Sequence, residues 1–302
     1  VNEKLTSPRV VRETLARLGA SPSKALGQNF LIDANIVDIA VRAADVRPGD
    51  TVLEIGPGLG VLTDALAEQG ASVVAVEMDR TFVKHLQERF AGDPRVAVIG
   101  GDFLEQDIPA LLESRGIDKM AANLPYNTGT RMLVELILAP RRLRTIVATV
   151  QLEVGERLAA VPGDDAYGML SVWAGVDYRV ELVKKISPTC FFPPPTVWSV
   201  LTRLTVRDPG SLTRRRASPL FYTLTRLAFQ HRRKQLAGIF DRAPGPMRLE
   251  PAVTAGLLEG LGVPAKARAE ELSVEQWLEL ADRIAALKSK QEQDHVSHGI
   301  CG

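Results

Sequence analysis

Asp50-Thr51-Val52-Leu53-Glu54-Ile55-Gly56-Pro57-Gly58-Leu59-Gly60 is the stretch on which the fold turns. Asp50 to Ile55 reads as a buried strand. Leu59, Leu62 and Leu66 then mark one face of a helix that ends at Gly70. A strand, a glycine-rich turn and a helix in that order form a cradle for a nucleotide: the glycines let the backbone come close, and the helix N-terminus lies beneath the ligand. The spacing is Gly-x-Gly-x-Gly, not the Gly-x-Gly-x-x-Gly of dinucleotide binders, so Glu54, Gly56, Gly58 and Gly60 are candidate cofactor-binding residues of a different kind of site.

Working outward, the next strands bring polar residues to the same edge. Ser72 to Val76 ends in Glu77, with Met78 after it; an acid about 20 residues past such a turn is placed to accept from both hydroxyls of a ribose. Val96 to Ile99 ends in Gly100-Gly101-Asp102-Phe103, a carboxylate for an adenine amine with a ring beside it. Met120 to Ala122 ends in Asn123-Leu124-Pro125-Tyr126. That tetrapeptide alone is as ordinary as any turn. At the end of a parallel strand it suits a planar heterocycle with an exocyclic amine. The amide oxygen and a nearby carbonyl accept two N–H bonds, Pro125 fixes the backbone, and Tyr126 stacks on the ring. Four consecutive strands thus deliver Gly56–Gly60, Glu77, Asp102 and Asn123 to one edge, where α/β sheets bind ligands.

Upstream, Val10 to Leu18 has helical spacing, and Asp33 caps a helix with Ile36, Ile39, Ala40 and Ala43 inward. Between them, Leu26-Gly27-Gln28-Asn29-Phe30-Leu31 is either a linker or a lid of two side-chain amides over a bound nucleoside. Downstream, the pattern predicts helices over Thr81–Phe90, Gly129–Leu138 and Gln151–Ala160, another opening at Tyr167, and strands over Thr145–Val150, Arg179–Lys184 and Val197–Val206. Ser187 to Pro195 is either a stiff polyproline connector or a rigid holder for an aromatic opposite Tyr126.

Past Thr205 the composition shifts. From Arg203 to Arg248 there are 11 Lys and Arg against 2 Asp and Glu, in a chain of 302 residues whose net charge is only +1. A helix from Ser218 runs into Phe229-Gln230-His231-Arg232-Arg233-Lys234, a one-sided run that suggests phosphate contact. Ser273 to Gln276 reads as a capping box, followed by Trp277, Leu280, Ala281 and Ile284 at helical spacing. Two distant cysteines and four histidines give no disulfide framework and no metal spacing. No apolar run approaches a membrane span and no signal pattern is present, so the expected compartment is the cytoplasm.

The edge chemistry fits α/β fold class: a class I Rossmann-like S-adenosylmethionine methyltransferase domain, with a small C-terminal all-helical domain. Over about residues 24–287 the chain resembles the rRNA adenine N6,N6-dimethyltransferase family, most closely its bacterial small-subunit (16S rRNA) branch. The residues carrying the resemblance are Gly27 to Leu31, Glu54 to Gly60, Glu77, Asp102, Asn123 to Tyr126, Tyr167-Gly168, Phe191 to Pro195, Phe229 and Arg232 to Lys234. The resemblance implies that S-adenosyl-L-methionine is held by Gln28, Asn29, Leu31, Glu54, Gly56, Gly58, Gly60, Glu77, Met78, Asp102, Phe103 and Asn123. It implies that Asn123, Leu124, Pro125 and Tyr126 hold the target adenine with Phe191 on its other face. It also implies that Arg226, Arg232, Arg233 and Lys234 grip rRNA. The expected domains are 1–206 (N-terminal extension and methyltransferase), 207–287 (helical, RNA-binding) and 288–302 (a disordered tail). The expected partner is small-subunit rRNA within a pre-ribosomal small subunit, bound by a monomer, with no membrane. The implied reaction is N6,N6-dimethylation of two adjacent adenosines near the 3′ end of that rRNA. A large-subunit (23S) rRNA adenine methyltransferase and a mainly non-catalytic assembly factor are the alternatives, and a dinucleotide oxidoreductase is improbable. The chain departs from the family pattern at Thr128-Gly129-Thr130-Arg131, at Leu152, and at Thr196 and Trp198.

Overall fold

The structure, a computed structural model, describes residues 5–23, 25–208 and 217–298. Helix α1 (Pro8–Arg17) precedes a two-residue strand β1 (Phe30–Leu31) and helix α2 (Ala34–Ala43). Asp33 caps α2 by accepting from the amides of Asn35 and Ile36. Strand and helix then alternate as β2 (Thr51–Ile55), α3 (Val61–Glu68), β3 (Ser72–Glu77), α4 (Arg80–Arg89), β4 (Val96–Gly100), α5 (Ile108–Ser114), β5 (Lys119–Asn123), α6 (Gly129–Leu138), β6 (Thr145–Gln151) and α7 (Leu152–Ala159). Next come α8 (Met169–Asp177), β7 (Tyr178–Ile186), β8 (Phe191–Phe192) and β9 (Ser199–Val206). The chain closes with α9 (Pro219–Gln230), α10 (Leu236–Asp241), α11 (Pro251–Glu259) and α12 (Val274–His298).

Seven strands form one sheet in the order β4-β3-β2-β5-β6-β9-β7. The first five run parallel, and β9 is antiparallel to both of its neighbours. The chain builds outward from β2 through β3 to β4, then crosses back to β5 on the other side of β2. That reversal opens a crevice between the C-terminal ends of β2 and β5. On one face α2 and α3 pack Ile36, Ala40, Leu62 and Leu66 against Val52, Val73, Ala121 and Val147. Fully burying an aliphatic side chain of this size is worth about 1.5–3 kcal/mol, which is why the β-strands read as near-continuous apolar runs.

Helix α5, which Asp107 starts by accepting from Ala110 N, has no counterpart in the sequence reading. Nor does the second sheet, in which β1 and β8 pair antiparallel with Leu31 opposite Phe191 and Phe30 opposite Phe192. No helix among the described residues is long and apolar enough to cross a membrane.

The chain divides into two compact units, Val1–Ala159 with Asp177–Arg214, and Ala160–Val176 with Arg215–Gly302. The second unit therefore includes a segment that precedes the expected boundary at residue 206. Its aromatic groups explain why: the Tyr167 hydroxyl donates to Leu272 O at 2.9 Å, and Trp173 Nε1 donates to Thr225 Oγ1 at 3.0 Å. The capping box at Ser273 is formed in both directions with Gln276. Helix α12 continues to His298 through most of the segment expected as a disordered tail, and the last four residues lie outside the described ones.

Candidate active site

A cavity of about 270 Å³ lies over the ends of β2, β3 and β5. Its floor is the glycine turn. Gly58 has φ +58°, and a Cβ there would lie 3.0 Å from the Phe30 ring, so only glycine lets the 28–31 segment sit over the turn. Gly60 serves differently. It precedes α3 at φ +90°, and a Cβ would strike Leu86 of α4 at 2.9 Å. It is a packing residue outside the cavity lining, unlike Gly56 and Gly58.

Glu77 stands at the end of β3 with its carboxylate held in place. Gly58 N donates to one oxygen and Asp79 N to the other, each at 2.9 Å. Burial nevertheless pushes its pKa up. Glu54 is more extreme. It is 2% exposed, and burial pushes its carboxyl to about 8, although the Thr63 hydroxyl donates to it at 2.6 Å. At neutral pH Glu54 therefore carries its proton. Asp102 accepts from Leu104 N at 2.9 Å, which turns the chain so that Phe103 is buried and both residues line the cavity. Met78 is half exposed at the rim.

Asn123 ends β5. Its Nδ2 donates to Asn29 O at 2.8 Å, and its Oδ1 is buried with no hydrogen-bond partner. A buried acceptor without a donor costs about 1–3 kcal/mol, so this atom is one that a ligand completes. Fixing the amide hydrogens on Asn29 leaves the oxygen as the group on offer.

The Gln28–Leu31 segment is a strap over the cavity, and side-chain amides fasten it. Gln28 Nε2 reaches Asp79 Oδ2 at 3.4 Å, and Asn127 Nδ2 donates to Ala25 O at 2.6 Å. Asn127 was not among the expected site residues. An Asn one residue past a known turn gives no signal in the sequence, because its partner lies 102 positions away. Gln28, Asn29 and Leu31 line the cavity, as do Leu124 and Pro125. So does Thr128, the first of the departures; its neighbour Gly129 is required, since a Cβ there would fall 2.9 Å from Leu124 Cβ.

Tyr126 and Phe191 lie outside that lining. The Tyr126 hydroxyl shares a short hydrogen bond with Ser199 Oγ, and burial pushes the phenol pKa up. Phe191 is 2% exposed and belongs to the core with Leu31, Ile36 and Leu201. The expected aromatic opposite Tyr126 is therefore packed away. Phe192 is the partly exposed member of the pair, with the Arg12 guanidinium 5.5 Å from its ring centroid.

In the second unit the basic run divides. Arg232 is committed to structure: its Nε donates to Glu270, and its other nitrogens donate to the carbonyls of Asp165 and Asp164. Arg233 and Lys234 are exposed in the turn after α9. Arg226 is exposed on α9, its guanidinium 5.6 Å from the Trp173 ring centroid.

This geometry has relatives. Residues 20–286 match the family model for ribosomal RNA adenine dimethylase. The chain is 39% identical over 288 residues to ribosomal RNA small subunit methyltransferase A of Pelotomaculum thermopropionicum, covering 92% of this chain and 96% of that one. It is 34% identical to the protein of the same name from Halothermothrix orenii, covering 99% and 100%. Among solved structures it resembles a dimethyladenosine transferase from Plasmodium falciparum, with TM-score 0.70 at 25% identity over 83% of this chain and 95% of the other. It also resembles the 23S rRNA methyltransferase ErmE, with TM-score 0.64 at 27% identity over 85% and 100%.

Proposed function

The chain belongs to the ribosomal RNA adenine dimethylase family, and from that premise we propose how its site performs the reaction and on which RNA. The protein is an S-adenosylmethionine-dependent enzyme that dimethylates adenine in ribosomal RNA. Its target is a pair of adjacent adenosines near the 3′ end of small-subunit rRNA, met by a monomer in a pre-ribosomal small subunit in the cytoplasm.

The observation that carries the site assignment is the unpartnered Asn123 Oδ1. The amine of adenine is a weak nucleophile because its lone pair is delocalised into the ring. Asn123 Oδ1 and the Leu124 carbonyl accept its two N–H groups and favour a pyramidal nitrogen. Tyr126, steadied by Ser199, stacks on the base once it has left its helix. Phe191 serves the other face only if its ring leaves the core where this structure packs it.

The residues around the cavity fit the donor by their chemistry. Glu77 keeps lone pairs for two ribose hydroxyls, and Asp102 and Phe103 suit an adenine edge and face. Glu54 is a buried carboxyl that a neighbouring ammonium would return to its charged form. When bound, S-adenosylmethionine supplies a methyl group on a positively charged sulfur. The chain's contribution is alignment, with the Gln28–Leu31 strap excluding water. The alkylated nitrogen is acidic, so no strong base has to act before transfer. In the helical unit, Arg226, Arg233 and Lys234 contact rRNA phosphates, and Arg232 holds the loop beneath them.

The relatives named for the small subunit match nearly their whole length at 33–39% identity, whereas the 23S enzyme stands at 27%. Labelled S-adenosylmethionine with unmethylated small and large subunits, read by nucleoside mass spectrometry, tests the reading. N6,N6-dimethyladenosine in small-subunit rRNA alone is the expected result. Label in large-subunit rRNA overturns the substrate assignment, and donor binding without label overturns the catalytic one.

A further inference from the structure

We propose that Trp198 and Lys185 form a stacking platform for an unpaired base of the substrate RNA beside the target adenine. The proposal rests on the function above and adds a second nucleotide contact to it.

Three observations meet at this place. The first is position. Strand β9 runs antiparallel to β6, with Ser199 opposite Gln151 at the end of β6. The residue just before β9 therefore stands at the edge where the parallel strands deliver their site residues. That residue is Trp198, and its neighbour Ser199 is the one whose hydroxyl holds the Tyr126 phenol. Backbone pairing fixes it there, as Leu152 N donates to Trp198 O at 2.9 Å. Leu152 and Trp198 are two of the positions at which the sequence departs from the family pattern.

The second is exposure. Trp198 is 47% exposed, whereas Trp173 and Trp277 are 3% and 0% exposed. An indole left half in water forgoes part of the burial its ring could gain, which a base stacked on it would recover. Its neighbour Val197 is also exposed.

The third is charge. Lys185 Nζ lies 4.8 Å from the Trp198 ring centroid. Past the bulge at Val183 on the edge strand β7, Lys185 is paired with Val200, which shares a face with Trp198 two residues before it, so the register sets the ammonium on the indole's side of the sheet. Nearby, Glu181 is occupied by Arg203 and Glu153 stands exposed at the start of α7. The ammonium lies over one face of the indole and leaves the other for a base. An aromatic ring with an ammonium against it is the pairing that single-stranded RNA uses, base on ring and phosphate on ammonium. A protein partner would bury the apolar surface without needing the lysine.

Because Trp198 is the exposed tryptophan, its fluorescence reports directly. A short single-stranded RNA carrying unpaired adenines should quench the full-length protein's emission, and Trp198→Ala should abolish the quenching. With small subunits as substrate, Trp198→Ala should raise KM about tenfold, in keeping with the loss of one base–aromatic stack, with the change in KM exceeding that in kcat. Trp198→Phe should recover most of it, and Lys185→Ala should lose two- to threefold at low salt and less at high salt. Donor affinity, measured by calorimetry, should match wild type in all three, which also shows that each variant is folded. The proposal is overturned if RNA leaves the fluorescence unchanged, or if Trp198→Ala and Trp198→Phe behave alike. It is also overturned if Trp198→Ala weakens binding to whole subunits but not to protein-free RNA, which would assign the surface to a ribosomal protein. If the wild type transfers no methyl group, the function above fails, while the quenching still decides this proposal.

Discussion

Strands β2 and β5 have two ends, and the chain treats them oppositely. At their starts every charge has a partner. Lys119 is buried with its Nζ 2.7 Å from Asp50 Oδ2 and in a short bond to Asp45 O, and Arg144 Nε meets Asp118 Oδ2 at 2.9 Å. At their finishes, five residues later or fewer, Glu54 is buried with a hydroxyl but no cation against it among the described residues, and Asn123 Oδ1 accepts from nothing. Burying polar groups unpaired costs stability, and a chain able to pair them at one end of a strand could pair them at the other. The difference marks what each end is for: one closes the fold, and the other waits for a ligand.

Breaking each end should therefore fail differently. Asn123→Ala should lower kcat/KM by two to three orders of magnitude, as removing one positioned hydrogen-bonding group from a reaction centre typically does. It should cost only about 1 kcal/mol of stability, for the bond to Asn29 O. Steady-state kinetics and urea unfolding on the same preparation check both. Lys119→Met should do the reverse. Taking the ammonium from Asp50, which keeps only the Arg47 N–H at 2.7 Å, should cost about 3 kcal/mol, the low end for a broken buried pair because Asp50 also keeps 21% exposure, with turnover per folded molecule unchanged. The third effect is the most specific, and it is one of pH. Below pH 4.5, the ordinary value for Glu54, folded and unfolded chains both carry its proton; between 4.5 and about 8 only the unfolded chain gives it up, so the wild type loses stability as pH rises. Glu54→Gln does not titrate there. Its melting temperature should climb above the wild type's by a few degrees across that window and hold constant beyond it, read by calorimetry at matched ionic strength.

The sequence discloses the binding edge well because each of its residues ends a strand, and strand ends show in local pattern. Gly56, Glu77, Asp102 and Asn123 each follow an apolar run by a residue or two, and all four belong to one edge in the structure. What stayed hidden depends on distant partners. The strap over the cavity is read from Gln28 and Asn29 only as one of two alternatives, since its fastening to Asn127, Asp79 and Asn123 crosses 51 to 102 positions. Arg232 looks like its neighbours Arg233 and Lys234 in a basic run, and only the folded loop at Asp164 and Asp165 claims it. Phe191 and Phe192 are adjacent aromatics, and alternation in β8 decides which one is buried.

The two-residue ladder between β1 and β8 has a bearing on how the protein comes to be complete. Leu31 and Phe191 are paired across 160 positions, so one edge of the strap over the cavity is pinned by a contact between the beginning and the latter part of its unit. Chain entropy makes such a closure unrewarding until intervening segments have already shortened the path, here by laying β9 beside β6. A nascent chain that has emerged only as far as α7 holds every glycine and carboxylate of the cavity and the amides that fasten the strap, and still lacks the strand that Leu31 pairs with. The last pinning of the strap is thereby tied to the late part of the unit's synthesis, although every side chain beneath it is made early.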